Sequence, residues 1–200
     1  MTKILLGTNN FGKVREFLTL ASALPYTITI PSDEGIYIHV EEYGKSYHEN
    51  AYIKAQAFSE ASGLTTIADD SGLEVDALGG APGLKSARYA GLDATDKDRV
   101  LYLLDKLKGI GWEKRTARFI CAIVLVKPNG EPKYFDGVCE GKITLEPKGE
   151  AGFGYDPVFY IPAMGKTIAQ LSPDQKNNIS HRSIAAKQLL RHLRDYQSGA

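Results

Sequence analysis

The chain has 200 residues, 43% hydrophobic and 24% charged, which is ordinary for a single globular domain spanning residues 1–200 with a sizeable core. Lys plus Arg and Asp plus Glu are equal at 24 each. The basic excess of a phosphate-backbone binder is therefore missing, and nucleic-acid binding is the least favoured class. No apolar run approaches the ~18 residues of a membrane span, and the first apolar run is too short for a leader peptide. The expectation is a soluble, cytoplasmic protein without a membrane partner.

Lys3 to Thr8 is a short apolar run ending in a polar, glycine-containing loop. From Lys13 the period changes: Val14, Phe17, Leu18, Ala21 and Leu24 mark one helix face that stops before Pro25. Thr27 to Ile30 alternates as a second strand. Ser46-Tyr-His-Glu49 has the form of a capping box, and the Ala-rich helix after it stops at Gly63. Leu64 to Ala68 predicts a strand running into Asp69-Asp-Ser-Gly72. Gly79-Gly-Ala-Pro-Gly83 is irregular. Thr95 caps a helix with apolar Val100, Leu103, Leu104 and Leu107, closed by Gly109.

Arg115 to Lys127 and Glu131 to Glu140 form a long hairpin about Asn129-Gly130. Further strand-like sequence runs over Ile143 to Leu145 and Val158 to Ile161. An amphipathic helix begins near Ser180, using Ile184, Leu189, Leu190 and Leu193. Helices and strands intermix, but the hairpin breaks the alternation, so the reading is an α/β protein with a mixed β-sheet flanked by helices. Cys121 and Cys139 fall on strands without metal-ligand spacing, which reads as two reduced thiols, with a disulfide between neighbouring strands as the weaker alternative.

Four polar clusters fall at the ends of these elements. Thr8-Asn-Asn-Phe-Gly-Lys13 leads into a helix N-terminus, where backbone N–H groups and a lysine suit an anion. An ordinary capping loop explains it equally well. Asp69-Asp70 places two carboxylates together, which needs a cation or proton in compensation and suits Mg²⁺; a solvated turn is the other reading. Glu41-Glu42 lies before the second helix with Lys54 upon it, and is otherwise a plain acidic loop. Gly152-Phe-Gly-Tyr-Asp-Pro157, Lys176 and Ser180-His-Arg182 combine an aromatic ring beside glycine with groups able to read base edges. Ser180 is also a fitting N-cap. His39, His48 and His192 show no ligand spacing and read as surface or helix residues.

Taken in order, Thr8-x-Asn-x-x-Lys13, Ala68-Asp-Asp-Ser-Gly-Leu73, Gly79-Gly-Ala-Pro-Gly83, Ser86-Ala-Arg-Tyr89, Phe153-Gly-Tyr-Asp156 and Ser180-His-Arg182 resemble the inosine triphosphate pyrophosphatase family over nearly the whole chain. The resemblance implies an elongated two-lobed α/β fold with a nucleotide cleft between the lobes, and a homodimer. It implies Mg²⁺-dependent cleavage between the α- and β-phosphates of deaminated purine triphosphates such as ITP, dITP and XTP. By position, Asp70 would be the general base, and Glu42, Asp69 and Asp70 would hold or orient the metal. Thr8, Asn9, Asn10, Phe11, Gly12, Lys13, Lys54, Ser71 and Lys176 would hold the triphosphate and sugar. Arg88, Phe153, Gly154, Tyr155, Asp156, His181 and Arg182 would line the base pocket or its rim. Asn9 departs from a frequent family glycine, tolerably so if that position requires φ > 0. Two other functions remain open: a pyrophosphatase of different base preference, and a purine nucleotide sensor without catalysis. The Asp69, Asp70 and Glu42 carboxylates favour catalysis over sensing.

Overall fold

The computed structural model describes residues 2–22 and 25–198. Leu24, expected on the first helix, lies outside the described residues. A seven-stranded sheet runs in the order β2-β1-β3-β4-β5-β6-β7. Its strands are β1 (Lys3–Leu6), β2 (Thr27–Thr29), β3 (Thr65–Val75), β4 (Thr116–Val126), β5 (Lys133–Ile143), β6 (Phe159–Ile161) and β7 (Lys166–Thr167). β1 pairs in parallel with β2 and β3, whereas β6 pairs antiparallel with β5 and β7, so the sheet is mixed. Helices α1 (Phe11–Ala21), α2 (Tyr47–Ser62), α3 (Asp96–Lys106), α4 (Pro173–Ile179) and α5 (His181–Ser198) flank it.

The chain divides into two compact units. The first holds residues 1–70, 121–137 and 181–200. Its core joins Ile4, Leu6 and Ile67 to Val14, Phe17 and Ala21 of α1 and to Leu189, Leu190 and Leu193 of α5. The small residues Ala51 and Ala55 let α2 sit close against Ala68 and Val124. The second unit holds residues 71–120 and 138–180, and its core gathers Leu73, Val75, Val100, Leu103, Leu107, Phe119 and Phe159. Burying such faces, at about 25 cal/mol per Å² of apolar surface, is what holds each helix to its strands.

Several elements differ from the sequence expectation. α1 starts at Phe11, because Asn10 caps it with its side chain accepting from Lys13 N; the polar loop therefore shrinks to Gly7–Asn10. Leu18, at the flank of the apolar stripe, is exposed. At α2, Ser46 Oγ accepts from Glu49 N, but the Glu49 carboxylate reaches Lys45 N at 2.7 Å, so the box is only half formed. β3 does not end at Ala68 but carries Asp69-Asp-Ser-Gly72 within an 11-residue strand. α3 ends at Lys106, with Leu107 as its cap rather than Gly109. Thr95 caps α3 as expected, here in a reciprocal box with Asp98. Asn129 at the hairpin turn has φ 59°, the left-handed conformation that asparagine tolerates. Ile143 ends β5 rather than opening a new strand. The segment before α5 also forms α4, with Ser172 and Gln175 as its capping box.

Candidate active site

In the first unit, β1 delivers the chain to Thr8, whose Oγ1 accepts from Asn10 N at 3.2 Å, and Asn10 Oδ1 accepts from Lys13 N at 3.1 Å. These turns leave the first N–H groups of α1, at Phe11 and Gly12, at an open helix end, the arrangement that holds anions. Phe11 and Asn9 are exposed. Among described non-glycine residues only Asn129 has positive φ, so Asn9 sits in an ordinary conformation and the departure from glycine costs no strain there.

Lys13, one turn into α1, reaches Asp69 Oδ2 at 3.0 Å. Arg182, at the start of α5, meets the same oxygen at 3.2 Å and Glu16 Oε2 at 2.6 Å. Glu16 follows Lys13 by three residues on α1 and so shares its face. Burial pushes the Asp69 carboxyl up, but Lys13, Arg182 and Lys54 outweigh it and hold Asp69 well below the usual carboxylate range. Behind it, Cys121 Sγ lies 3.8 Å from Asp69 Oδ2, a buried thiol pushed far up by that burial.

Asp70 points to a different set, because successive strand residues alternate sides. Lys54 lies 3.7 Å from Asp70 Oδ1 and 2.5 Å from Glu42 Oε1. Asn50, one turn before Lys54 on α2, donates from Nδ2 to Asp70 Oδ2 at 3.1 Å and accepts from Gly44 N at 2.8 Å. Burial and the neighbouring Glu42 raise the Asp70 carboxyl, and Lys54, Lys13 and Asn50 only partly oppose them. Two adjacent aspartates are thus displaced in opposite directions, a common way for one site to hold a fixed anion beside a proton acceptor.

A divalent cation fits this donor set in one form only. Among the described residues no group of three or more His, Cys, Asp or Glu gathers as a protein cage. Glu42 and Asp70 share Lys54, and two hard carboxylates are what Mg²⁺ uses when waters and substrate phosphates complete its shell.

In the second unit, residues 152–156 form a tight loop. Asp156 Oδ2 accepts from Phe153 N at 3.1 Å and from Lys176 Nζ at 2.6 Å, and Lys176 also lies 4.9 Å from the centre of the Phe153 ring. Lys176 stands on α4. Tyr155 is buried in the core of this unit with its hydroxyl donating to Ser86 O at 2.9 Å. Of the two rings, therefore, only Phe153 is half-exposed. Arg88 ends a short 3₁₀ turn (Gly83–Arg88) with its side chain exposed. Ser71 follows Asp70 on β3, half-buried.

His181 and Arg182 belong to the first unit, where both are buried at the start of α5. Their seat is Gly137 of β5: a Cβ there would meet the His181 carbonyl oxygen and Ala185 N at overlapping distance. Only a residue without a side chain lets the helix start so close to the strand. Asn50 and Glu16 were absent from the sequence expectation, although each lies one turn from a lysine it did contain. His48 pairs with Asp136 at 2.7 Å and His192 packs on Phe135.

A mixed α/β sheet that sets a helix N-terminus, two lysines and paired carboxylates about one strand defines an anion-handling protein of the nucleotide-metabolising class. The chain belongs to the Ham1 family, whose model matches residues 4–192. It is 46% identical to the dITP/XTP pyrophosphatase of Halalkalibacterium halodurans over 189 residues, covering 94% of this chain and 97% of the relative. The Staphylococcus aureus Ham1 protein superposes with a TM-score of 0.88 at 42% identity, covering 98% of this chain and all of that one. The HAM1 protein of Coxiella burnetii does so at 0.90 with 40% identity and the same coverage.

Proposed function

We propose that this protein hydrolyses deaminated purine nucleoside triphosphates (dITP, ITP and XTP) to the monophosphate and pyrophosphate. The observation that carries the reading is near-full-length identity to a dITP/XTP pyrophosphatase, joined to a site in which each lysine already faces a carboxylate. The triphosphate lies at the N-terminus of α1, with Thr8, Asn10 and the first-turn N–H groups on its oxygens and Lys13 and Lys54 offsetting its charge. Glu42 and Asp70 would hold Mg²⁺, which would neutralise phosphate charge and supply ordered water. Asp69, fixed by Lys13 and Arg182, orients that arrangement. Asp70 accepts a proton from the water that attacks the α-phosphorus; the new P–O bond forms as the bond to the bridging oxygen breaks, and pyrophosphate leaves.

Phe153 stacks on the base and Asp156 faces its edge, while Lys176, held by Asp156, reaches the sugar and phosphates. Inosine and xanthosine present a 6-oxo acceptor and an N1–H donor where adenine presents the reverse, so a pocket built for one leaves buried groups unpaired with the other. The free, buried Cys121 and Cys139 suit a reducing compartment and support a cytoplasmic enzyme. The homodimer that the family resemblance implies is the assembly we propose, to be read by light scattering.

The deciding experiment is pyrophosphate release from dITP, ITP, XTP, GTP, ATP and dTTP, each with and without Mg²⁺, for the native protein and Asp70→Asn. Metal-dependent release from dITP and XTP but not ATP, with Asp70→Asn binding nucleotide yet losing most turnover, is expected. Release chiefly from dTTP would replace the base assignment, and near-normal turnover in Asp70→Asn would remove Asp70 as the base.

A further inference from the structure

The loop that carries Phe153 is fastened from behind by a carboxylate outside the site described above. Asp96 is the first residue of α3, where an acidic side chain is ordinarily explained by the helix dipole alone. Here it is shared. Asp96 Oδ2 accepts from Gly154 N at 2.7 Å, across 58 residues of sequence, while Oδ1 receives the Arg99 guanidinium at 2.5 Å. Arg99 also donates to the Ala87 and Ala94 carbonyls at 3.0 and 2.5 Å, tying this node to the chain beside Arg88. Burial pushes the Asp96 carboxyl up, but Arg99 and the Gly154 N–H outweigh it and hold it low, so it is an anion when it receives that N–H.

Other bonds hold the loop as well: Lys176 Nζ donates to Asp156 Oδ2 at 2.6 Å and Ala169 N donates to Asp156 O at 3.2 Å. Asp156 closes it upon itself through Phe153 N, and the Tyr155 hydroxyl on Ser86 O ties its far end to the core. Gly154 sits between them with φ 62°, a left-handed position that glycine takes freely and gives up as freely. A charge-assisted hydrogen bond is the strong kind, and this one acts at one of the two positive-φ glycines of the loop.

We propose that Asp96 is a positioning residue for base selection: by holding the Gly154 N–H it fixes the backbone that places the Phe153 ring and the Asp156 carboxylate. This rests on the assignment of that loop to the base. Selection against a mismatched base depends on buried polar groups that cannot move to find new partners. A loop loosened at Gly154 can relax around the wrong base, so discrimination falls while the hydrolytic step continues.

The test is steady-state kinetics on dITP and dATP for Asp96→Ala, Asp96→Asn, Asp98→Ala and Phe153→Ala, with hydrogen exchange of the peptide covering 152–156. Asp96→Ala should raise KM for dITP and lower the dITP:dATP ratio of kcat/KM on the order of tenfold, with kcat close to native and faster exchange in the loop. Asp96→Asn keeps an acceptor for Gly154 N and should recover most of the ratio. Asp98→Ala removes the capping partner from the same helical turn without touching the loop, and should leave the ratio unchanged. An unaltered ratio in Asp96→Ala, or an equal fall in Asp98→Ala, overturns the proposal. If Phe153→Ala shifts the ratio in that case, the fault lies with Asp96. If Phe153→Ala leaves it unmoved as well, the assignment of the loop to the base has failed, and the role of Asp96 falls with it.

Discussion

Replacing Arg182 with methionine asks whether the guanidinium between Asp69 and Glu16 holds the first unit together. Its side chain is 4% exposed, and those of its partners are 7% and 13% exposed. Methionine keeps much of the aliphatic length but removes the charge facing the buried Asp69 and the half-buried Glu16. Breaking a buried pair from one side costs about 3–5 kcal/mol, here by removing one of the two cations on Asp69 Oδ2 and the guanidinium on Glu16. For a chain of this size each kcal/mol lowers Tm by about 2–4 °C, so a fall of about 6–20 °C is expected. Urea unfolding of the metal-free protein, followed by circular dichroism, gives the free energy directly. Arg182→Lys keeps the charge but not the fork that meets two carboxylates at once, and should fall between native and methionine. The double variant Glu16→Gln with Arg182→Met should cost less than the sum of the singles. A loss under about 1 kcal/mol for Arg182→Met, the range of exposed pairs, would refute the structural role.

Three further outcomes follow from the same geometry. Gly137→Ala forces a methyl into the His181 carbonyl and Ala185 N and should cost about 1–3 kcal/mol or more, read by urea unfolding; a neutral result would mean that α5 shifts freely at its start. The Asp69 carboxyl lies below its unfolded value of about 3.9, so its contribution is complete above that pH and is lost as pH falls towards the folded value. The stability lead of the native protein over Asp69→Asn should therefore be flat from about pH 5 to 7, which is about one to three units above that unfolded value, and shrink below about pH 4. A lead that grows on acidification would contradict this. Burial pushes the Cys139 thiol up to about 11, so the native protein should resist iodoacetamide at pH 8, within about an hour, until unfolded; rapid alkylation would place Cys139 at an open surface.

Much of this arrangement is legible in one sequence because it is local. Thr95, Ser46 and Gly63 mark helix ends through their own side chains or lack of one, and Asn129-Gly130 sets the hairpin. The apolar stripes of α1 and α5 give the core of the first unit. What stayed hidden is decided by neighbours distant in sequence. β3 runs on through Asp69-Asp-Ser-Gly72 although those four residues read locally as a turn; pairing within the sheet overrides that preference. β7 has two residues and α4 seven, too few for a periodic signal. Glu16 and Arg182 stand 166 residues apart. Glu16 and Asn50 each stand one helical turn from a lysine of the expected site, but only the fold supplies their partners.

The ordering of strand lengths across the sheet has a consequence for the protein at high concentration. The interior strands β3, β4 and β5 have 11 residues each, while the margins are β2 with three and β7 with two. Open strand margins are templates on which another chain can lay a strand, and long flat ones seed aggregates. Here a recruiting segment would find two or three residues of free ladder at either side, too little to outweigh the entropy of ordering it. The stickiest stretch, the apolar run Ile120 to Val126, is enclosed by neighbours on both sides and is offered to other chains only when the protein unfolds.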